Sequence, residues 1–337
     1  MTRNAGRRIA ILHGEVPENA PEDERDVLVE VETVKGALGG MAYEAVPVVF
    51  TLDIPRAISA LRQIEPALVF NLVESVQGQG RLIHLAPAVL DSVGLPYTGS
   101  PTEAIFLTSH KLLTKRFLRS ANIATPAWFC GGIADGALLP GGERYIIKSV
   151  WEHASIGLDG GSIVETDDAT ELRRRLEERA VLVKGEVFAE AFVDGREFNI
   201  SLLEGAGGPE VLPHAEILFV DYPEGKPRVV DYKAKWDEKS FEYSHTPRSF
   251  DFPAADQDLL ESLSDISKRC WRLFGLRGYA RVDFRVDAEG LPWVLEINVN
   301  PCLSPDGGFY AAVQQAGLSI EEAVQTILDA ARRHQKP

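Results

Sequence analysis

Four side chains near the C-terminus have the types and spacing to do chemistry: Arg281, Asp283, Glu296 and Asn298. They fall in two short runs, 280–286 and 291–297, where apolar and polar residues alternate on either side of the turn-prone Asp287-Ala-Glu-Gly290. That pattern predicts a β-hairpin. Successive strand residues take opposite faces, so Val282, Phe284 and Val286 separate from Arg281, Asp283 and Arg285. On the second strand Leu295 and Ile297 point one way, Glu296 and Asn298 the other. Antiparallel pairing brings Asp283 to within about one pair position of Glu296. Two carboxylates and an amide oxygen then converge beside a guanidinium, and such hard oxygen ligands suit Mg²⁺. A half-exposed hairpin with an ordinary polar face has the same pattern.

Lysines placed elsewhere add a second kind of chemistry. Lys111 sits on a basic helix, and Lys148 ends a strand just before the small-residue loop Glu152-His-Ala-Ser-Ile-Gly157. A lysine there can grip phosphates while loop amides and Ser155 close over them. This is not the GxxxxGK[ST] loop, because the lysine precedes the glycine; a plain strand-end lysine is the alternative. In Glu190-Ala-Phe-Val-Asp-Gly-Arg-Glu197 the backbone could pair with an adenine edge and a carboxylate with ribose hydroxyls, or the segment is a solvated hairpin turn. Lys235 could reach a terminal phosphate if the long polar stretch 221–250 closes as a lid.

The elements that must position these residues follow from periodicity. Strands are expected at 8–13, 45–50 and 67–73, with helices between them. That order implies a parallel α/β unit with function at the carboxyl ends of its strands. Helices at 81–93, 109–120 and 168–178 follow, with strands at 145–150, 187–192, 197–203 and 211–219. A helix at 256–274 precedes the hairpin, and one at 320–332 ends the chain. At 337 residues, two or three compact units are expected. The charge of −15 argues against nucleic acid or an anionic membrane as partner. Three cysteines without metal-type spacing fit a reducing cytosol. No apolar run reaches bilayer length, and a cytoplasmic protein is expected.

Taken in order, Gly94-Leu-Pro-Tyr-Thr-Gly-Ser100, His110-Lys-Leu-Leu-Thr-Lys115, Ile147-Lys148 with Glu152…Ser155-Ile-Gly157, Gly195-Arg-Glu197, Asp231-Tyr-Lys-Ala-Lys235, Arg281-Val-Asp283-Phe and Leu295-Glu-Ile-Asn298…Pro301 resemble the ATP-grasp superfamily. Within it they resemble the D-alanine–D-alanine ligases, over nearly the whole chain. The resemblance implies an α/β (α+β overall) ATP-grasp fold: an N-terminal parallel α/β unit (1–98), a central lid unit (99–185) and a C-terminal antiparallel-sheet unit (186–337). It also implies ATP and two Mg²⁺ ions (Mn²⁺ substituting), with small-molecule carboxylate and amine substrates; a homodimer is expected by analogy.

Carried over residue by residue, Lys111 and Lys148 look like nucleotide-phosphate lysines, and Ser155 and Gly157 like the phosphate-covering loop. Glu190, the backbone of Ala191 and Val193, and Glu197 look like adenine and ribose contacts. Lys235 resembles the γ-phosphate lysine. Asp283, Glu296 and Asn298 resemble metal ligands, and Arg281 the oxyanion-steadying arginine. Glu24, or else Glu15, would hold the first substrate's ammonium. The departures fall where substrates would lie. Ala154 replaces a serine, and Trp236 the tyrosine that reaches it. Asn71-Leu-Val-Glu-Ser75 replaces a histidine-glycine segment, and Cys302 reads as a pocket wall. Asp306, Gly307 and Gly308 stand where a serine would bind the acceptor's carboxylate. Asp306 would repel a second carboxylate, and the glycines would open space against Phe309. The expected reaction is ATP-dependent amide formation through an acyl phosphate, on a pair other than D-alanine plus D-alanine. A true D-alanine ligase, a small-molecule kinase and a non-catalytic nucleotide-binding module are the alternatives.

Overall fold

The computed structural model describes residues 7–130, 143–152, 155, 157–335. The first sheet is three-stranded and parallel, in the order β2-β1-β3, from β1 (Arg8–Gly14), β2 (Glu44–Phe50) and β3 (Leu68–Leu72). Ile9 to Leu12 are fully buried, as expected of a strand covered on both faces. Helix α1 (Glu22–Gly40) covers one face through Val27, Val31 and Val34. Helices α2 (Ile54–Ile64) and α3 (Leu85–Val93) cover the other. The helix expected from residue 81 begins instead as a 3₁₀ turn, Gly80–Leu82.

Two helices then join the sheets, α4 (Thr102–Ser109) and α5 (Lys111–Ser120). His110 separates them and its Nδ1 accepts from the Leu113 amide. The second sheet has the order β4-β7-β5-β6 and is antiparallel: β4 (Trp128–Phe129), β5 (Glu143–Ser149), β6 (Ile163–Thr166) and β7 (Val187–Ala191), packed on α6 (Ala169–Val183).

The third sheet holds the hairpin. Its strands are β8 (Arg196–Gly205), β9 (Gly208–Val211), β10 (Ala215–Ile217), β11 (Arg248–Ser249), β12 (Tyr279–Val286) and β13 (Pro292–Val299), in the order β11-β10-β8-β12-β13 with β9 beside β8. The strand expected at 211–219 is thus two short ones. The irregular stretch carries two short helices, α7 (Tyr232–Trp236) and α8 (Phe241–Ser244). Helix α9 (Gln257–Phe274) packs under the sheet with Ala104, Leu118 and Ile123 from α4, α5 and the turn after them. Helices α10 (Gly308–Gln315) and α11 (Ile320–Arg333) return to the first core, where Ala312, Val324 and Ile327 meet Val31 and Val34. Among the described residues, no helix is long and apolar enough to cross a membrane.

Candidate active site

One cleft of about 600 Å³ opens between the sheets, lined from all three. Its floor is the hairpin. Asp283 pairs directly with Glu296 on β13 and with Asn199 on β8, while Arg281 pairs with Asn298 and Ser201. Residues in one row across a sheet meet on the same face, so the polar face expected from alternation exists as a row of contacts. Arg281 grips Asp283 with two hydrogen bonds, at 2.7 Å from Nε and 2.8 Å from Nη2. The amides of Asn199 and Asn298 each donate to Asp283 at 2.9 Å. Burial works against the Arg281 charge, and Asp283 more than restores it, so its pKa is raised.

A bulge lies beside this row. The register shifts between Asp283 and Phe284, so Phe284 pairs with Val294 and Leu295 is the extra residue. A bulge re-aims a side chain next to a site. Leu295 accordingly lines the cleft, not the core face it would share with Ile297 in an unbroken strand.

Lysines surround the row. Lys111 lies 3.7 Å from Glu296 and donates to the Glu152 carbonyl. Lys148 and Lys115 both pair with Glu190, at 2.6 Å and 2.5 Å, and Glu190 and Lys115 each have side chains 1% exposed. Burial pushes Glu190 up, but the two lysines outweigh it and its pKa is lowered. Burial lowers Lys111 and Lys235, and draws Lys115 down to about 8. Lys235 is brought near Glu296, Arg281, Asp283 and Glu197. Glu197 pairs with Arg285 at 2.8 Å. Ala191 and Val193 line the same wall.

The segment carrying Lys235 lies over the cleft. Ser155 Oγ donates to the Val230 carbonyl at 2.8 Å, and the Tyr232 hydroxyl donates to Asp23 on α1 at 2.9 Å. Trp236 also lines the cleft. Gly157 has φ +75° and lies so close to Val183 that a Cβ would come within 2.6 Å, which explains a glycine there. Ala154, with His153 and Ile156, lies outside the described residues.

At the far end lie Glu15, Asp23, Glu24, Asp26, Glu74, Arg248, Cys302, Asp306 and Gly307. Glu15 and Glu24 are both present, so neither is singled out. Three expectations fail here. Phe309 is fully buried in the core with Leu303 and Tyr279, not in the cleft wall. Gly307 is tightly packed, with a Cβ falling 2.9 Å from the Ser304 carbonyl oxygen and 3.1 Å from that of Cys302, so it opens no space. The charge of Asp306 is not alone, because Arg248 stands near it. A Cβ on Gly308 would lie 3.5 Å from Arg281 and 3.7 Å from Arg248. Gly307 is the N-cap of α10, and no side chain caps that helix.

Sequence reasoning missed Asn199, Arg248, Arg285 and Leu295 as cleft residues, and Lys115 as the buried partner of Glu190. Lys115 stands four residues after Lys111 on one helical face, and Asn199 stands two after Glu197 on one strand face. Both signals were available. Arg248 lies in the stretch without periodicity, where nothing pointed to it.

The donor set suits a hard divalent cation in type: two carboxylates opposite one another, and an amide whose nitrogen is engaged, leaving its oxygen. Asp283 already accepts four hydrogen bonds, so a metal would displace one of these donors.

The sheets and their order around this cleft are those of an ATP-grasp enzyme. The D-alanine–D-alanine ligase of Bacillus anthracis complexed with ATP matches with a TM-score of 0.71 at 20% identity, over 98% of each chain, a likeness of fold. Residues 144–329 match the family described as D-ala D-ala ligase C-terminus. The chain is 30% identical to the D-alanine–D-alanine ligase of Moorella thermoacetica, covering 96% of this chain and 99% of that one. It is 32% identical to the uncharacterized protein y4sG of Sinorhizobium fredii, covering 79% and 75%. The chain therefore belongs to the D-alanine–D-alanine ligase family and is an ATP-dependent C–N ligase.

Proposed function

We propose that this ligase joins the carboxylate of one amino acid or related small molecule to the amine of another, and that D-alanine with D-alanine is not its preferred pair. The observation that supports it most is the row Asn199, Asp283 and Glu296 with Arg281, ringed by Lys111, Lys148 and Lys235. Lys111, Lys148 and Lys235 would hold the phosphates of ATP, with Ser155 and Gly157 covering them. The backbone of Ala191 and Val193 would meet adenine, and Glu197 ribose. Glu190 would act through Lys115 and Lys148, since both its oxygens are taken. Asp283, Glu296 and Asn298 would hold two Mg²⁺ ions, whose charge, when bound, neutralises phosphate and lets a carboxylate anion approach. Arg281 would stabilise the oxyanion that forms as the amine adds. Most of the catalysis is positioning.

The substrate preference rests on the far end of the cleft. Ser304 gives its hydroxyl to Asp26 at 2.8 Å, and Gly307 has no room for a side chain. An acceptor carboxylate would therefore depend on Arg248, whose longer reach suits a different acceptor from alanine. We also propose unit boundaries near residues 98 and 185, with α4 and α5 bridging the last two units, and a homodimer whose mass in solution is the test.

Phosphate release from ATP, measured over a panel of amino-acid pairs with product identification, tests the reading. D-Alanyl-D-alanine as the product formed with highest kcat/KM would refute the preference. A phosphorylated carboxylate accumulating with every amine would make the enzyme a kinase.

A further inference from the structure

At the far end of the cleft a thiol meets two carboxylates from the other end of the chain. Asp26 and Glu30 stand four residues apart on α1 and so share a face, and Cys302 belongs to the loop after β13. One oxygen of each carboxylate and Cys302 Sγ all lie within 4.8 Å of one another. Asp26 Oδ2 accepts from the Cys302 thiol at 3.0 Å, and Asp26 Oδ1 from the Ser304 hydroxyl at 2.8 Å. The Ser304 amide donates to the sulfur at 3.3 Å.

Hydrogen bonds within the cluster leave one carboxylate short. A thiol carries a single hydrogen, and that of Cys302 goes to Asp26. Glu30 is only 1% exposed, and its Oε1 has no hydrogen-bond partner. Among the described residues neither carboxylate forms a salt bridge. A buried carboxylate oxygen with nothing to accept from is costly, so a proton or a cation must meet it. The donors favour the cation. In a tetrahedral zinc site, metal–sulfur bonds of about 2.3 Å and metal–oxygen bonds of about 2.0–2.2 Å set the donors roughly 3.3–3.7 Å apart. The separations here, 3.0 Å between sulfur and Asp26 and at most 4.8 Å for the rest, bracket that range. Small side-chain rotations would close the site. Outer contacts fit as well: the Ser304 hydroxyl holds Oδ1 so that Oδ2 meets the sulfur, and the Ser304 amide supports a thiolate.

We propose that Asp26, Glu30 and Cys302 bind one divalent transition-metal ion of the zinc class. None of these donors belongs to the set Asp283, Glu296 and Asn298, and the proposal does not depend on the ligase reading. A sulfur donor selects against Mg²⁺, which takes oxygen, and for softer ions such as Zn²⁺. As the metal–sulfur bond forms, the Cys302 thiol gives its proton to solvent. Asp26 and Cys302 line the cleft and Glu30 does not, so the fourth position faces the cleft and takes a water molecule. The ion would tie α1 to the loop that leads into α10.

The test uses the full chain, stripped with chelator, kept reduced with a phosphine and held in roughly 1000-fold excess of Mg²⁺ over added metal. Zn²⁺ reads the stoichiometry by calorimetry, and Co²⁺ reads the ligands by absorption. Wild type should bind one equivalent of Zn²⁺ and release about one proton, and with Co²⁺ should show a thiolate-to-cobalt charge-transfer band. Cys302→Ser should abolish the band. Cys130→Ser should keep it, which separates Cys302 from the other partly exposed thiol. Glu30→Gln should weaken Zn²⁺ binding by at least about 10-fold, the loss that even an outer-shell partner brings. The wild-type and cysteine readings stand should Glu30→Gln not fold. Wild type that binds no Zn²⁺ under these conditions would leave a proton as the occupant of Glu30 and overturn the proposal. A band that survives Cys302→Ser or vanishes with Cys130→Ser would overturn it too, as would unchanged Zn²⁺ affinity in a folded Glu30→Gln.

Discussion

Replacing Glu190 by glutamine tests whether one buried carboxylate holds the lysines of the cleft in place. Glu190 and Lys115 are almost wholly buried, and Lys148 is 2.6 Å away with little more exposure. Glutamine keeps the size and removes the charge, so two cations are left facing a neutral group. Removing one partner of a buried pair costs about 3–5 kcal/mol. Lys115 can limit its share by shedding its proton, which at pH 7 costs about 4.6 kcal/mol relative to an unperturbed lysine. The wild-type lysine already sits at about 8, drawn down by burial and partly supported by Glu190; without Glu190 it falls further. Between the variant's value and about 8, the folded variant has lost a proton that the unfolded chain and the folded wild type still bind. Stability of the variant therefore rises with pH across that window relative to wild type, by at most about 1.4 kcal/mol per pH unit. Urea unfolding at pH 6, 7 and 8 should show the largest deficit at pH 6 and a smaller one at pH 8, and Lys115→Met in the variant should recover part of it. A deficit below about 1 kcal/mol, or one independent of pH, would refute the reasoning.

Glu296→Gln should lower ATP turnover by at least about 100-fold, since a lost anionic ligand leaves phosphate charge uncompensated by several kcal/mol. Turnover measured with the variant, and with wild type in excess chelator, checks this, and full activity in either would sink the metal assignment. The segment 221–250 should resist limited proteolysis better with Mg²⁺ and a non-hydrolysable ATP analogue than without. Tyr232→Phe, which removes the 2.9 Å bond to Asp23, should weaken that protection; equal cleavage rates throughout would mean that the segment is no lid. Gly307→Ser should not restore a family-type acceptor site, and should destabilise by about 1–3 kcal/mol, because its Cβ meets two carbonyl oxygens at 2.9 Å and 3.1 Å. Thermal unfolding together with the substrate panel reads both effects.

How far the sequence carried depended on whether a feature obeyed a period. The parallel unit, the amphipathic α9 and α11 and the hairpin all follow local repeats of 3.6 or 2, and all appear within a residue or two of their expected places. Asp283 and Glu296 were legible for the same reason, being on one face of paired strands. What broke the period was not. The bulge at Leu295 reverses one side chain without any turn residue to announce it. The short helices α4 and α10 were missed because eight residues with two or three core positions each, Ala104 and Leu107 in one and Phe309, Ala312 and Val313 in the other, are too few to show a repeat.

The contrast between the two ends of the cleft has the same origin. At the proposed nucleotide end, neighbours on regular elements fix the side chains: Lys148 by Glu190 across β5 and β7, and Arg281 by Asp283 two residues on. The pattern of types therefore carries the geometry with it. At the proposed substrate end, Arg248 comes from a two-residue strand after a long irregular stretch. Asp26 is held by Cys302 and Ser304 from more than 270 positions away, and Glu74 lies in the loop after β3. No local repeat connects these residues, so their charges could be counted from the sequence but not placed. The argument from Asp306 failed on that point: a single carboxylate in the chain says nothing of acceptor preference until the cation beside it, Arg248, is known. On the proposed reading, Arg248→Ala should change the ranking of acceptors in the substrate panel more than a variant on the hairpin does, and an unchanged ranking would refute a role for Arg248 in acceptor choice.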